Sequence, residues 1–356
     1  MTDREKFIVY MSICEIPNKK QELFLEELTN FSFHNLFRNN LIAQTLSKEE
    51  YHKFVSSYEP MKFESVLENI QNSGIEIITI DDERYPSKLF DLPDRPLVLY
   101  AKGDLTLVNE RCLAVVGTRR PSNYGKIVTE KFVGTLASSG FVIVSGLCYG
   151  VDEIAHNKTL EMGGKTIAVI GSGLSKIYPQ SNTNLANEIV GSGGLVLSEY
   201  PPSFVAKRYT FPRRNRIVAG LSDGVLITEA GTKSGTVHTK DFALEYGKDI
   251  FAVPGSIYSE MSNLTNELIK TAQAECVLSP DDIIEFYGVK KTEQKKIVNV
   301  TFEEQTILNL LANGERDFEF LSEQSGISVS ILNSCLTTLE IRGLIRKLPA
   351  QTYALI

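Results

Sequence analysis

The sequence predicts an α/β protein: a doubly wound, mostly parallel sheet preceded by a helical segment and followed by a winged helix. Three observations carry this expectation. Seven short apolar, β-branched runs (IEIITI, CLAVVG, FVIVSG, TIAVIG, GLVLSE, DGVLITEA and DIFAVPG) recur between residues 75 and 255. Intervening segments such as YGKIVTEKFVGTLASSG and EIAHNKTLEMGG are helix-like and close on glycine, a common helix end. The runs are almost uninterrupted in apolar residues, as strands are when helices cover both faces. Strand and helix alternating this often give a Rossmann-like sheet over residues 73–289.

The flanks read differently. In residues 1–72 the apolar positions Leu23, Phe24, Leu28 and Phe31 recur at helical spacing, and Ser47 with Glu50 makes a capping box before Tyr51 and Phe54. KKTEQKK, residues 290–296, is a charged linker without apolar residues. Residues 297–356 hold three helical segments and a terminal ribbon, the pattern of a winged helix. Its third helix carries Glu340 as the sole charge between Ser328 and Ile341. Four basic residues against seven acids give this segment a net charge of -3. That is poor equipment for gripping phosphates and predicts a protein-contact module.

Composition excludes several classes. The chain of 356 residues has a formal net charge of -7, so any anion site must be local. No run of ~18 apolar residues offers a membrane span, and the charged start is not a signal peptide. Five scattered cysteines, none in C-x-x-C spacing, argue against disulfides or zinc and for buried thiols in a reducing cytoplasm. No metal or cofactor is expected.

In open parallel sheets ligands bind outside the carboxyl ends of the strands, so the loops after each strand are the ones to read. Gly117 closes the run CLAVVG and leads into Thr118, Arg119 and Arg120, and Ser145 with Gly146 closes the run FVIVSG. Tyr178–Asn182 form a turn further on, and Ser234, Gly235 and Thr236 lie in a glycine–hydroxyl loop at a helix start. Backbone N–H groups at helix starts, guanidinium groups and hydroxyls suit phosphate. His156, inside a helical pattern, reads as a structural histidine.

Proton-transfer chemistry is harder to find. Gly171-Ser172-Gly173 lacks the third glycine of a dinucleotide fingerprint, Gly164-Lys165-Thr166 lacks the first glycine of a P-loop, and no H-E-x-x-H occurs. The chain reads as built to hold phosphates rather than to break them.

The densest signal is RYTFPRRNRIVAGLS. Lys207, Arg208, Arg213, Arg214 and Arg216 sum to +5, with no acid between Tyr200 and Ser222. Tyr209 and Phe211 lie among them, combining a cationic track with a stacking platform for bases. Read as a loop, the segment is stiffened by Pro212 and tied to the backbone by Asn215.

The segments VGTRRPSNYG, SGLCYGVDEIAH, TIAVIGSGLSKIYPQSN, LSEYPPS, FPRRNRIVAGLS, SGT and AVPG, in this set and spacing, resemble the DNA-processing protein A (DprA) family. The likeness is strong over residues 80–256 and looser outside them. It implies a non-enzymatic protein that binds and protects single-stranded DNA, loads the RecA recombinase during natural transformation, and dimerises through the Rossmann-like domain. It also implies that Arg119, Arg208, Phe211, Arg214 and Arg216 line the DNA pocket, and Gln180 stands where many members have lysine. The rival is a nucleotide-processing enzyme resembling lysine-decarboxylase-like phosphoribohydrolases. Their catalytic glutamate would fall at Gly235 or Thr239, and neither is acidic.

Overall fold

The computed structural model describes residues 1–289, 300–312, 314–342 and 344–355. The chain divides at residue 292 into two compact units. The expected linker at 290–296 lies outside the described residues.

In the first unit nine strands form one sheet: β1 Glu76–Thr79, β2 Val98–Gly103, β3 Cys112–Val116, β4 Val142–Ser145, β5 Thr166–Ile170, β6 Leu195–Ser198, β7 Gly224–Ile227, β8 Asp249–Ala252 and β9 Glu275–Cys276. Their order is β1-β2-β6-β5-β4-β3-β7-β8-β9. The seven strands from β3 to β9 run parallel, whereas β2 pairs antiparallel with both β1 and β6. The fold is therefore mostly parallel, as expected, with an antiparallel margin. All seven apolar runs contain strands. β2 and the two-residue β9 are additions.

Burial explains the uninterrupted apolar runs. Every residue of β3, β4, β5, β6 and β7 is buried, with helices packed on both faces. Successive strands after β3 are laid first to one side, through β4, β5 and β6, and then to the other, through β7, β8 and β9. The order reverses between β3 and β7. Their carboxyl ends diverge into the loops read above, which is where such sheets open a crevice.

Six helices between Asp3 and Asn72 make the front of this unit. Their core holds Phe7, Tyr10, Phe24, Phe54 and Phe63 and takes in Leu97, Val98 and Tyr100 from β2 and its approach. The capping box at Ser47 and Glu50 is formed.

The second unit has helices Phe302–Leu311, Phe318–Ser325 and Val329–Ile341 over a small sheet of β10 Arg316–Asp317, β11 Ile345–Leu348 and β12 Thr352–Leu355. The strand order is β10-β12-β11, so the short strand β10 joins the terminal ribbon of β11 and β12. Ile307, Leu311, Leu321, Leu332, Leu336, Leu339, Ile345 and Tyr353 form its core. Among the described residues no helix is long and apolar enough to cross a membrane, and no group of three or more His, Cys, Asp or Glu could hold a metal ion. Cys14, Cys112 and Cys148 are buried free thiols, but Cys276 is exposed.

Candidate nucleic-acid interface

A cleft of about 940 Å³ opens outside the carboxyl ends of β3, β4 and β7, at the reversal of strand order. Its lining includes eleven of the fourteen residues predicted for the site: Gly117, Thr118, Arg119, Gly146, Arg208, Phe211, Arg214, Asn215, Ser234, Gly235 and Thr236. Ser145, Lys207 and Arg216 stand outside the lining, as does Gln180. The cations Arg119, Arg120, Arg208, Arg214 and Lys233 outnumber the carboxylates Asp152 and Glu260, five to two.

The loops are bound to one another. Thr118 N–H donates to Glu229 O at 2.8 Å, joining the turn after β3 to that after β7. Val151 N–H donates to Thr118 O at 3.2 Å, joining it to the loop after β4. Gly117 permits the junction, since a Cβ there would meet Val151 Cγ2 at 2.6 Å and Glu229 O at 2.7 Å. Glu229 itself accepts from Ser122 N–H and Oγ at 2.8 and 2.6 Å, fixing the start of helix Asn123–Ser138.

The arginine segment corrects the sequence reading, because it is a helix, Thr210–Leu221, and not a loop. Pro212 is its third residue, where backbone N–H groups have no intrahelical acceptor, so the missing donor costs nothing. Helical geometry then divides the arginines. Arg214 turns into the cleft floor, only 3% exposed, where its guanidinium donates to the carbonyls of Gly146 and Val169 and lies 3.4 Å from Cys148 Sγ. Gly146 leaves the space, since a Cβ there would sit 2.3 Å from Arg214 Nη2 and 2.6 Å from Asp152 Oδ2. Burial pushes the Asp152 carboxyl up, against the pull of Arg214. Burial likewise pushes the Cys148 thiol up. Asn215 Nδ2 donates to Gly235 O at 3.3 Å, tying the helix to the loop after β7.

Arg216, by contrast, is fully buried away from the cleft. It pairs with Glu199 at 2.6 Å and Asp94 at 3.1 Å, and Arg213 shares Glu199 at 3.1 Å. Burial works against the Arg216 charge, but Glu199 and Asp94 outweigh it and hold the guanidinium above its ordinary range. Lys207 reaches Glu15 at 2.9 Å. Burial raises that carboxyl, and hydrogen bonds from Lys207 and Lys53 more than reverse this. The sequence sum of +5 is thus partly neutralised within the protein. Among the described residues, no carboxylate forms an ion pair with the exposed Arg119, Arg120 or Arg208, so their charge remains for a ligand, whereas the charge of buried Arg214 acts on Asp152.

Phe211 sits with Arg119 at 5.4 Å over its ring and Tyr178 at 5.4 Å beside it. Cys148, Asp152, Tyr178, His238, Thr239, Glu260, Met261 and Asn263 line the cleft without having been predicted for it. Cys148, Asp152 and Tyr178 lay in loops already singled out. Glu260, Met261 and Asn263 follow β8, and the same rule about strand ends would have found them.

Fold and site together define a Rossmann-like protein with a cationic, aromatic-bearing cleft at the strand-order reversal. Residues 76–288 match the family profile of DNA recombination-mediator protein A, and residues 294–351 that of the DprA winged helix domain. The chain belongs to the DNA recombination-mediator protein A family. It is 37% identical to the DNA processing protein DprA of Bacillus subtilis over 72% of this chain and 84% of that one. It is 43% identical to that of Streptococcus pneumoniae over 58% of this chain and 72% of that one. The X-ray structure of the Streptococcus pneumoniae protein matches with TM-score 0.67 at 32% identity, covering 80% of this chain and 98% of that one. A structure described by the single-stranded DNA binding mode of the Helicobacter pylori protein matches with TM-score 0.54 at 36% identity, covering 60% of this chain and 95% of that one.

Proposed function

We propose that this chain binds single-stranded DNA in the cleft without regard to base sequence, shields it, and hands it to the RecA recombinase during natural transformation and homologous recombination. On this reading it acts as a homodimer through the Rossmann-like unit and catalyses no reaction. The observation that carries the proposal is an exposed guanidinium over an aromatic ring, Arg119 at 5.4 Å over Phe211, with Arg120 and Arg208 lining the same cleft. Guanidinium groups hold phosphates and rings stack any base, so neither carries a sequence code. The binding mode named for the Helicobacter pylori relative supports the same ligand.

Arg119→Ala and Phe211→Ala should each weaken binding to oligothymidylate, oligoadenylate and mixed sequences by similar factors. Loss confined to one sequence would contradict the reading. RecA delivery is checked by whether the purified protein speeds RecA filament assembly on the bound strand. The enzyme reading is tested by incubation with nucleoside monophosphates. Glu229 is engaged with Ser122 and Gly235 has no side chain, so no release of free base is expected.

A further inference from the structure

The ring assigned to base stacking is the least available one. Phe211 is only partly exposed, with Arg119 over it and Tyr178 leaning on it at 55°. Tyr178 itself is 50% exposed and lines the cleft. Tyr149, 48% exposed, follows the cleft residue Cys148 and accepts a hydrogen bond at 3.4 Å from Oγ of Ser181, in the same turn as Tyr178. The two tyrosines are carried on loops locked together, because buried Asn182 donates to Leu147 O at 3.1 Å.

Resting on the proposed single-strand reading, we infer that the strand leaves the cleft across Tyr178 and Tyr149. Its bases stack on those two rings, and Phe211 serves as the backing of Tyr178. Electrostatics picks this exit over the other. Glu260, whose main-chain carbonyl lies beside Gly231, shares the other side of the cleft with Lys233, so the charges there balance, whereas the tyrosine side lies against Arg119 and Arg214. A strand taking the other route would pass Tyr258, 94% exposed and two residues from Glu260.

The chain contains no tryptophan, so a single one reports stacking without background. Tyr178→Trp, Tyr149→Trp and Tyr258→Trp are each titrated with a dinucleotide and with a long oligothymidylate, while anisotropy records binding. The long strand should quench the fluorescence at positions 178 and 149 and leave position 258 unchanged. The dinucleotide should leave position 149 unquenched. A strand that binds while position 149 stays bright, or that quenches position 258 instead, overturns the inference. Failure of the unaltered chain to bind would overturn the cleft reading itself, and the exit track with it. As a second measure, Tyr149→Ala should weaken the long strand at least about five-fold, the lower end for one lost stack, without changing the salt dependence. Arg119→Ala should flatten that dependence. Unchanged affinity in Tyr149→Ala would overturn the track.

Discussion

Arg214 and Arg216 stand two positions apart on one helix, about 200° around its axis, and meet opposite surroundings. Arg214 gives its donors to the carbonyls of Gly146 and Val169 at the cleft floor, and its charge acts on Asp152. Arg216 is held by Glu199 and Asp94, and removing one partner of a buried pair leaves the other charge uncompensated. Arg216→Ala should therefore cost about 3–5 kcal/mol of stability, read as a lower urea midpoint. Arg119→Ala should leave that midpoint within about 0.5 kcal/mol, since its side chain is exposed, yet reduce the salt slope of oligonucleotide binding by ~0.7. Equal destabilisation by both changes would refute this division of roles. Sequence alone could not make the distinction, because Arg216 finds its partners 17 and 122 residues away.

At the scale of the elements, the site depends on three loops and one helix holding each other in register. Gly117→Ala tests this. Its Cβ would press on the Glu229 carbonyl, which is backbone and cannot rotate aside, so a loss of about 1–3 kcal/mol is expected together with weaker DNA binding. Full affinity in a folded Gly117→Ala protein would show that this junction is dispensable. The strands were legible because burial on both faces leaves a continuous apolar run. The crevice was legible because strand ends and glycine–hydroxyl loops mark it. The arginine helix was not: Pro212 and the arginine cluster read as loop, although a proline in a first turn removes no hydrogen bond. β9 was equally hidden, since its two residues, Glu275 and Cys276, are exposed and bear no apolar pattern.

Across the whole molecule, stability and binding respond to pH and salt through different groups. His156 Nδ1 lies 2.7 Å from Thr166 Oγ1, whose own proton goes to Ile143 O, so the ring donates through Nδ1 and leaves buried Nε2, the acceptor nitrogen of that tautomer, without a donor. Burial, and then the charge of Arg214, lower its pKa from 6.5 to about 3. The unfolded chain thus takes up this proton first as pH falls. His156 stability is complete above pH 6.5 and declines below it by ~1.4 kcal/mol per unit, roughly 2 kcal/mol by pH 5. Asp152, raised by burial, acts in the opposite sense, so comparison with His156→Gln isolates the histidine. That variant should lose the decline in urea midpoint between pH 7 and 5. An unchanged decline would place its source elsewhere.

Three exposed arginines lining the cleft, Arg119, Arg120 and Arg208, imply a log–log salt slope of about -2 on single strands, at ~0.7 per phosphate. Titrating a labelled oligonucleotide, single-stranded and as a duplex, at roughly 50 and 200 mM salt reads that slope and the strand preference together. Single-stranded affinity should fall about fifteen-fold across this interval and exceed duplex affinity at both salt concentrations. Binding that ignores salt, or that favours the duplex, would contradict a cationic cleft shaped for unpaired DNA.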